Sequence, residues 1–141
     1  MPTRRASATW EGGLQGGKGS FEGESGAISG SYSFGSRFGD AGGTNPEELL
    51  AAAEAACFSM ALSVGLEQAG TPATRVRTEA ACTIEKGAEG FRITTLKLRV
   101  RAQVPGVDEA VFRQAAEGAK AGCPVSRALA GVEIEMDAAL E

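Results

Sequence analysis

The stretch AAAEAACFSMALSVG, residues 51–65, is apolar almost all the way round, with Cys57 near its middle. It lies inside a longer helical pattern. Asn45 is a good N-cap, Pro46 suits the first helical position, and Glu47 and Glu48 place negative charge in the first turn. The pattern runs to about Ala69, where Gly70 and Pro72 stop it. Some 24 residues at about 1.5 Å each make a helix of about 36 Å. That is long for so short a chain, and a helix whose centre lacks a polar face must be covered on most sides. Cys57 in that centre is either core filler or a reactive group that the core is built to hold.

Upstream, the first 35 residues are rich in Gly and Ser and show short alternating pieces: RASATWEG (5–12), KGSFEGES (18–25) and AISGSYSF (27–34). These predict a small meander of strands with Gly-rich turns. GSRFGDAGGT (35–44) then reads as a loop carrying Arg37. Downstream, TRVRTEAACTIEKG (74–87) puts Val76, Thr78, Ala80, Cys82 and Ile84 on one face. In FRITTLKLRVRAQV (91–104), Leu96, Leu98, Val100, Ala102 and Val104 share a face, while Phe91 and Ile93 have the opposite phase. A bulge near Thr94–Thr95 reconciles the two. KGAEG makes the pair a hairpin. Asp108 caps a helix through Lys120, CPVSRALAG (123–131) starts a short helix with Pro124 at its first position, and VEIEMDAAL (132–140) is a closing strand. The whole, residues 1–141, reads as one mixed domain.

Composition narrows the chemistry. A net charge of −4 argues against nucleic acid or an anionic membrane as the main partner. No run of 18 apolar residues occurs, so no membrane span is expected, and MPTRRASATW has no apolar stretch of the secretory kind. A cytoplasmic protein with reduced thiols is the expectation. The chain has no histidine, which excludes Ser-His-Asp and Cys-His catalysis. A zinc site would need all three cysteines plus a carboxylate, and none of the three lies in a C-x-x-C pair, so no metal is expected.

The three cysteines differ in setting. Cys82 lies mid-strand on the apolar face and reads as core. Cys123 sits at the cap of a helix whose first residue is proline, where unpaired backbone N–H groups favour a negative sulfur. Cys57 is ambiguous, because burial raises a thiol pKa. Without histidine, a positioned arginine would have to offset that burial, and Arg37 is the nearest in sequence. Glu47 lies ten residues before Cys57, about 15 Å along one straight helix. The two could meet across an antiparallel pair of helices centred near Ala52, from two copies of the chain. Small residues at 51–53 and 55–56 would let such helices approach closely. Glu47 can equally serve only to complement the helix dipole.

NPEELLAAAEAACFSMAL (45–62) and AGCPVS (121–126), with SYSFGSRF (31–38) and WEGGLQGGKG (10–19) upstream, resemble the OsmC/Ohr family of bacterial thiol peroxidases, and more the OsmC branch than the Ohr branch. The likeness covers nearly the whole chain. It implies an α+β fold in which curved antiparallel sheets wrap long central helices in an intertwined homodimer, with active sites at the dimer interface. It implies that Cys57 is the peroxidatic cysteine, Cys123 the resolving one, Arg37 the holder of the thiolate and Glu47 the group that orients Arg37. No cofactor is implied. Glu54 stands where related sequences often carry histidine.

On this reading a Cys57 thiolate attacks the peroxide O–O bond to give a sulfenic acid, and Cys123 closes a disulfide. The resemblance supplies the reductant, a dithiol or a lipoylated protein. The apolar surround favours organic hydroperoxides over hydrogen peroxide, with Phe34, Phe38, Phe58 and Met60 as candidate pocket residues and core packing as the competing role of each. Two other classes remain open: a redox sensor in which oxidation alters a surface, and an apolar ligand carrier in which the thiols are spectators.

Overall fold

Alternation in the Gly-rich N-terminal third yields three short strands: β1 (Ala6–Glu11), β2 (Lys18–Gly23) and β3 (Ser29–Tyr32). They form an antiparallel sheet in the order β1-β2-β3. The structure is a computed structural model describing residues 1–141, and it falls into two compact units, Met1–Leu49 and Leu50–Glu141. In the first unit Trp10 and Tyr32 lie 5.5 Å apart between ring centres. Gly19 makes this approach possible, since a Cβ there would lie 2.5 Å from the Tyr32 ring.

The segment expected to be a loop around Arg37 contains one turn of helix, α1 (Phe34–Phe38). A reciprocal capping box closes its start: Ser36 N–H donates to Ser33 Oγ at 3.1 Å, and Ser33 N–H donates to Ser36 Oγ at 2.8 Å. Those two bonds satisfy donors that a Gly-rich loop would leave to water. After α1 the chain turns through Gly43, whose φ of +110° suits glycine, and Thr44 N–H bonds to Ser31 O at 2.9 Å.

The long helix is α2 (Pro46–Gln68), begun by Asn45, whose Oδ1 accepts from Glu48 N–H at 2.8 Å. It starts in the first unit and gives most of its length to the second. There the sheet is β4 (Arg75–Gly87), β5 (Gly90–Gln103) and β6 (Glu133–Leu140), in the order β4-β5-β6. The β4–β5 hairpin shifts register between Thr83 and Ile84, with Thr95 opposite Thr83 and Ile93 opposite Ile84. Thr94 is therefore the extra residue, and it flips the phase of Phe91 and Ile93 as their pattern requires.

One pairing departs from the antiparallel expectation: β6 runs parallel to β5. The crossover between them holds α3 (Glu109–Gly122), capped by Asp108 Oδ1, and α4 (Pro124–Ala128). The core joins one row from each layer. Phe58, Leu62 and Leu66 of α2 meet Leu96, Leu98, Val100 and Ala102 of β5, and Phe112, Ala116 and Ala119 of α3. Cys82 packs half-buried against this core. Ser59 Oγ donates to Thr78 Oγ1 at 2.8 Å and pins α2 to β4.

The opposite side of α2 is uncovered in one chain. Ala52, Ala53, Ala56, Val64 and Gly65 are exposed, and Met60 is 71% exposed. By length and composition α2 would reach across a bilayer, with a mean hydropathy of 1.8 over 18 residues. Its Phe58–Leu62–Leu66 row is instead committed to the core of the second unit.

Candidate active site

The expected site residues fall into two groups, one in each unit. In the first unit the capping box sets the direction of α1, and Arg37 leaves its last turn. Ser36 is tied further, with Oγ donating to Thr44 O at 2.8 Å and its own carbonyl accepting from Asn45 Nδ2 at 3.0 Å. These bonds hold α1 to the start of α2, where Glu47 is 5% exposed. Arg37 meets it side-on. Nε lies 3.1 and 3.2 Å from Oε1 and Oε2, and Nη2 lies 2.7 Å from Oε1. A fork of this kind fixes the plane of the guanidinium as well as its position. The Phe38 ring lies 5.4 Å from Arg37 Cζ, and the Phe34 and Phe38 rings are 5.0 Å apart.

The second unit brings Cys57 and Cys123 together as free thiols that share a hydrogen bond. Cys123 is fully buried where α3 ends and α4 begins, serving as C-cap of one and N-cap of the other. Its N–H bonds back to Ala119 O at 2.8 Å, and Pro124 starts the next helix at once. Burial pushes the Cys57 thiol up from its ordinary value, and the bond to Cys123 pushes the same way. The Val125 backbone N–H, bonded to Cys57, pulls it down, while the charges of Cys123 and Glu54 add to the rise. All of these groups belong to the second unit, and their balance favours the neutral thiol.

An open apolar groove of about 660 Å³ starts at Cys57 and continues between α2 and α3 along Met60, Ala61, Val64, Val111 and Ala115. Met60 thus lies where a pocket residue was expected. Phe58 does not: it is 0% exposed, one position round the helix from Cys57, and its ring fills the core. Phe34 and Phe38 belong to the first unit, beside Arg37.

Sequence reasoning missed one contact beside the thiols. Ser126 Oγ donates a short hydrogen bond to Glu54 Oε1, and both residues are buried, at 6% and 0% exposure. Glu54 Oε2 has no partner. The signal was available in the spacing, because Glu54 precedes Cys57 by three residues and Ser126 follows Cys123 by three. Residues three apart share a helix face, so a contact between the cysteines brings these two together as well.

The family model for OsmC-like protein matches residues 39–137. The chain belongs to the OsmC family. Among its OsmC relatives, the protein named Peroxiredoxin OsmC from Escherichia coli (strain K12) is 45% identical over 135 residues, which cover 95% of this chain and 94% of that one. Two solved structures extend the likeness within the OsmC fold. An organic hydroperoxide resistance protein from Elizabethkingia anophelis superposes with a TM-score of 0.79 at 27% identity, covering 100% of this chain and 98% of that one. The organic hydroperoxide resistance protein OhrB of Bacillus subtilis gives 0.74 at 25% identity, covering 95% and 97%. The α+β fold is therefore that of the OsmC proteins.

Proposed function

We propose that this protein is a cysteine-dependent peroxidase that reduces organic hydroperoxides to alcohols in the cytoplasm, with residues 1–141 acting as one OsmC-like domain. The observation that carries the reading is the pair of free thiols, Cys57 and Cys123, hydrogen-bonded at the end of an apolar groove. The 45% identical relative named a peroxiredoxin supports it independently.

The chemistry follows in three steps. The Cys57 thiolate attacks one peroxide oxygen, the O–O bond breaks, and the departing alkoxide takes a proton to leave as alcohol. Cys57 is then a sulfenic acid. Cys123 attacks that sulfur, its proton and the hydroxide leave together as water, and a disulfide joins the two. An external dithiol or a lipoylated protein reduces the disulfide and is itself oxidised. An apolar groove favours the organic peroxide, because desolvating an alkyl chain is favourable and desolvating hydrogen peroxide is costly.

The thiol must ionise for the first step, and its own surroundings oppose that. The Arg37–Glu47 fork supplies the counter-charge. A guanidinium fixed in its plane by a buried carboxylate is a directed cation with few other places to point. A homodimer completes the arrangement: antiparallel α2 helices, centred near Ala52, set Glu47 of one copy opposite Cys57 of the other. The exposed Ala52, Ala53 and Ala56 are small enough for such an approach.

The test is a thiol count. Reduced protein is mixed with stoichiometric cumene hydroperoxide, then supplied with excess peroxide and a dithiol. A peroxidase loses two of its three thiols and goes on consuming peroxide. A sensor loses two and stops, and a carrier keeps three. Either of these last results refutes the proposal.

A further inference from the structure

The buried contact between Glu54 and Ser126 exchanges no atom in either chemical step, yet it occupies the interior beside both thiols. A buried carboxylate costs stability unless it is hydrogen-bonded, and this one keeps one oxygen unpartnered. A leucine at position 54 would fill the same space without that cost. The polar pair therefore calls for a reason besides packing.

Its placement suggests the reason. The short helix α4 is attached to α2 at two levels. At one, the Cys123 thiol and the Val125 N–H both reach Cys57. At the other, one turn away on each helix, Ser126 reaches Glu54. One attachment leaves α4 free to pivot; two hold it. Resolution demands such control, because Cys123 must approach in line with the bond from Cys57 sulfur to the departing hydroxide. In that step Cys123 gives up a proton, the S–S bond forms, the S–O bond breaks, and hydroxide with the proton leaves as water.

We propose that Glu54 is a positioning residue for disulfide closure: by holding Ser126 it fixes the turn that carries Cys123 against Cys57. This rests on the peroxidase reading, and it concerns the second step and not the first.

The experiment separates the two steps. Wild type, Glu54→Leu, Glu54→Gln and Ser126→Ala are reduced and mixed with one equivalent of cumene hydroperoxide. Sulfenic acid at Cys57 is trapped with dimedone, and disulfide is followed by mass and by loss of free thiols. Glu54→Leu keeps the site filled and apolar, so it is the variant that should fold without the latch, with circular dichroism as the check. Its sulfenic acid should form no more slowly than in wild type, since removing the Glu54 charge relieves one of the causes that raise the Cys57 thiol, while disulfide closure slows by at least ~10-fold, the size expected when a reacting group is misplaced by a fraction of an ångström. Dimedone adduct and sulfinic acid should accumulate accordingly. Ser126→Ala should behave alike. Glu54→Gln keeps an oxygen that accepts from Ser126 and should restore closure to near the wild-type rate. Closure at the wild-type rate in a folded Glu54→Leu protein overturns the proposal, as does equal slowing of both steps, or a failure of Glu54→Gln to restore closure. If wild type itself forms neither species, the peroxidase reading has failed instead.

Discussion

At the scale of single residues, the first unit holds a cation by several bonds and the second holds a sulfur that resists charge. Arg37 gives Glu47 three short N···O contacts, and lysine cannot reproduce that fork. Arg37→Lys should lower the rate of hydroperoxide reduction by about 10- to 100-fold, since a displaced charge stabilises the thiolate less. The pH profile adds a signed test. Only the thiolate attacks, and burial together with Cys123 holds the Cys57 pKa above its ordinary value. Removing the guanidinium lets that rise stand, so in Arg37→Lys the rate should climb through a more alkaline range than in wild type. A profile at the same position in both proteins would contradict the role given to Arg37. Cys57→Ser should abolish turnover, and Cys123→Ser should stop after one sulfenic acid per chain. At this scale the proline after Cys123 marked a helix start in the sequence, and the structure has one there. The Glu54–Ser126 bond was legible only by way of the cysteines, each three positions from one of the pair, because a glutamate in an apolar helix does not by itself announce a partner seventy-two positions away.

At the scale of elements, caps and phase explain what was read and what was not. Asn45, Asp108 and Pro124 gave three helix starts correctly, because each satisfies the first turn through a local bond or a preset φ. The single turn α1 was read as loop, because glycine flanks it and only the reciprocal Ser33–Ser36 bonds make it helical. Ser36→Ala removes the hydroxyl that accepts from Ser33 N–H and donates to Thr44 O; it should cost about 1 kcal/mol, measured as a lower urea midpoint, and should loosen Arg37 with it. The direction of β6 was hidden for another reason: alternation assigns faces, and it is the same for parallel and antiparallel neighbours. The bulge was visible as a phase change, and it carries an energetic corollary. Thr94 Oγ1 is buried without a hydrogen-bond partner. Thr94→Val removes that hydroxyl at constant shape and should raise stability by up to about 1–2 kcal/mol, read from the same urea midpoint. A drop would mean that the hydroxyl is satisfied in solution.

At the scale of the whole molecule, the uncovered side of α2 decides the expectation. Apolar exposure of Met60 and Val64 beside a row of alanines is poorly tolerated by a protein that stays alone in water. Sedimentation should give a dimer. Ala56→Glu, placed on the exposed row, should leave the circular dichroism spectrum intact, shift the protein to monomer, and abolish turnover if the counter-charge comes from the second copy. A monomeric variant with full activity would show that one chain suffices.

The parallel strand also governs how the thiols come together in time. The β4–β5 hairpin closes over two residues, Ala88 and Glu89, and can form within microseconds. β6 must traverse the sheet before it joins β5, and segment 104–132, with Cys123 inside it, has to be gathered first. During that interval Cys57 has no second sulfur beside it, and an oxidant that strikes then would drive it past the sulfenic stage to acids that no thiol reverses. On the proposed chemistry, a refolding chain therefore meets hydroperoxides before it owns the sulfur that would rescue it.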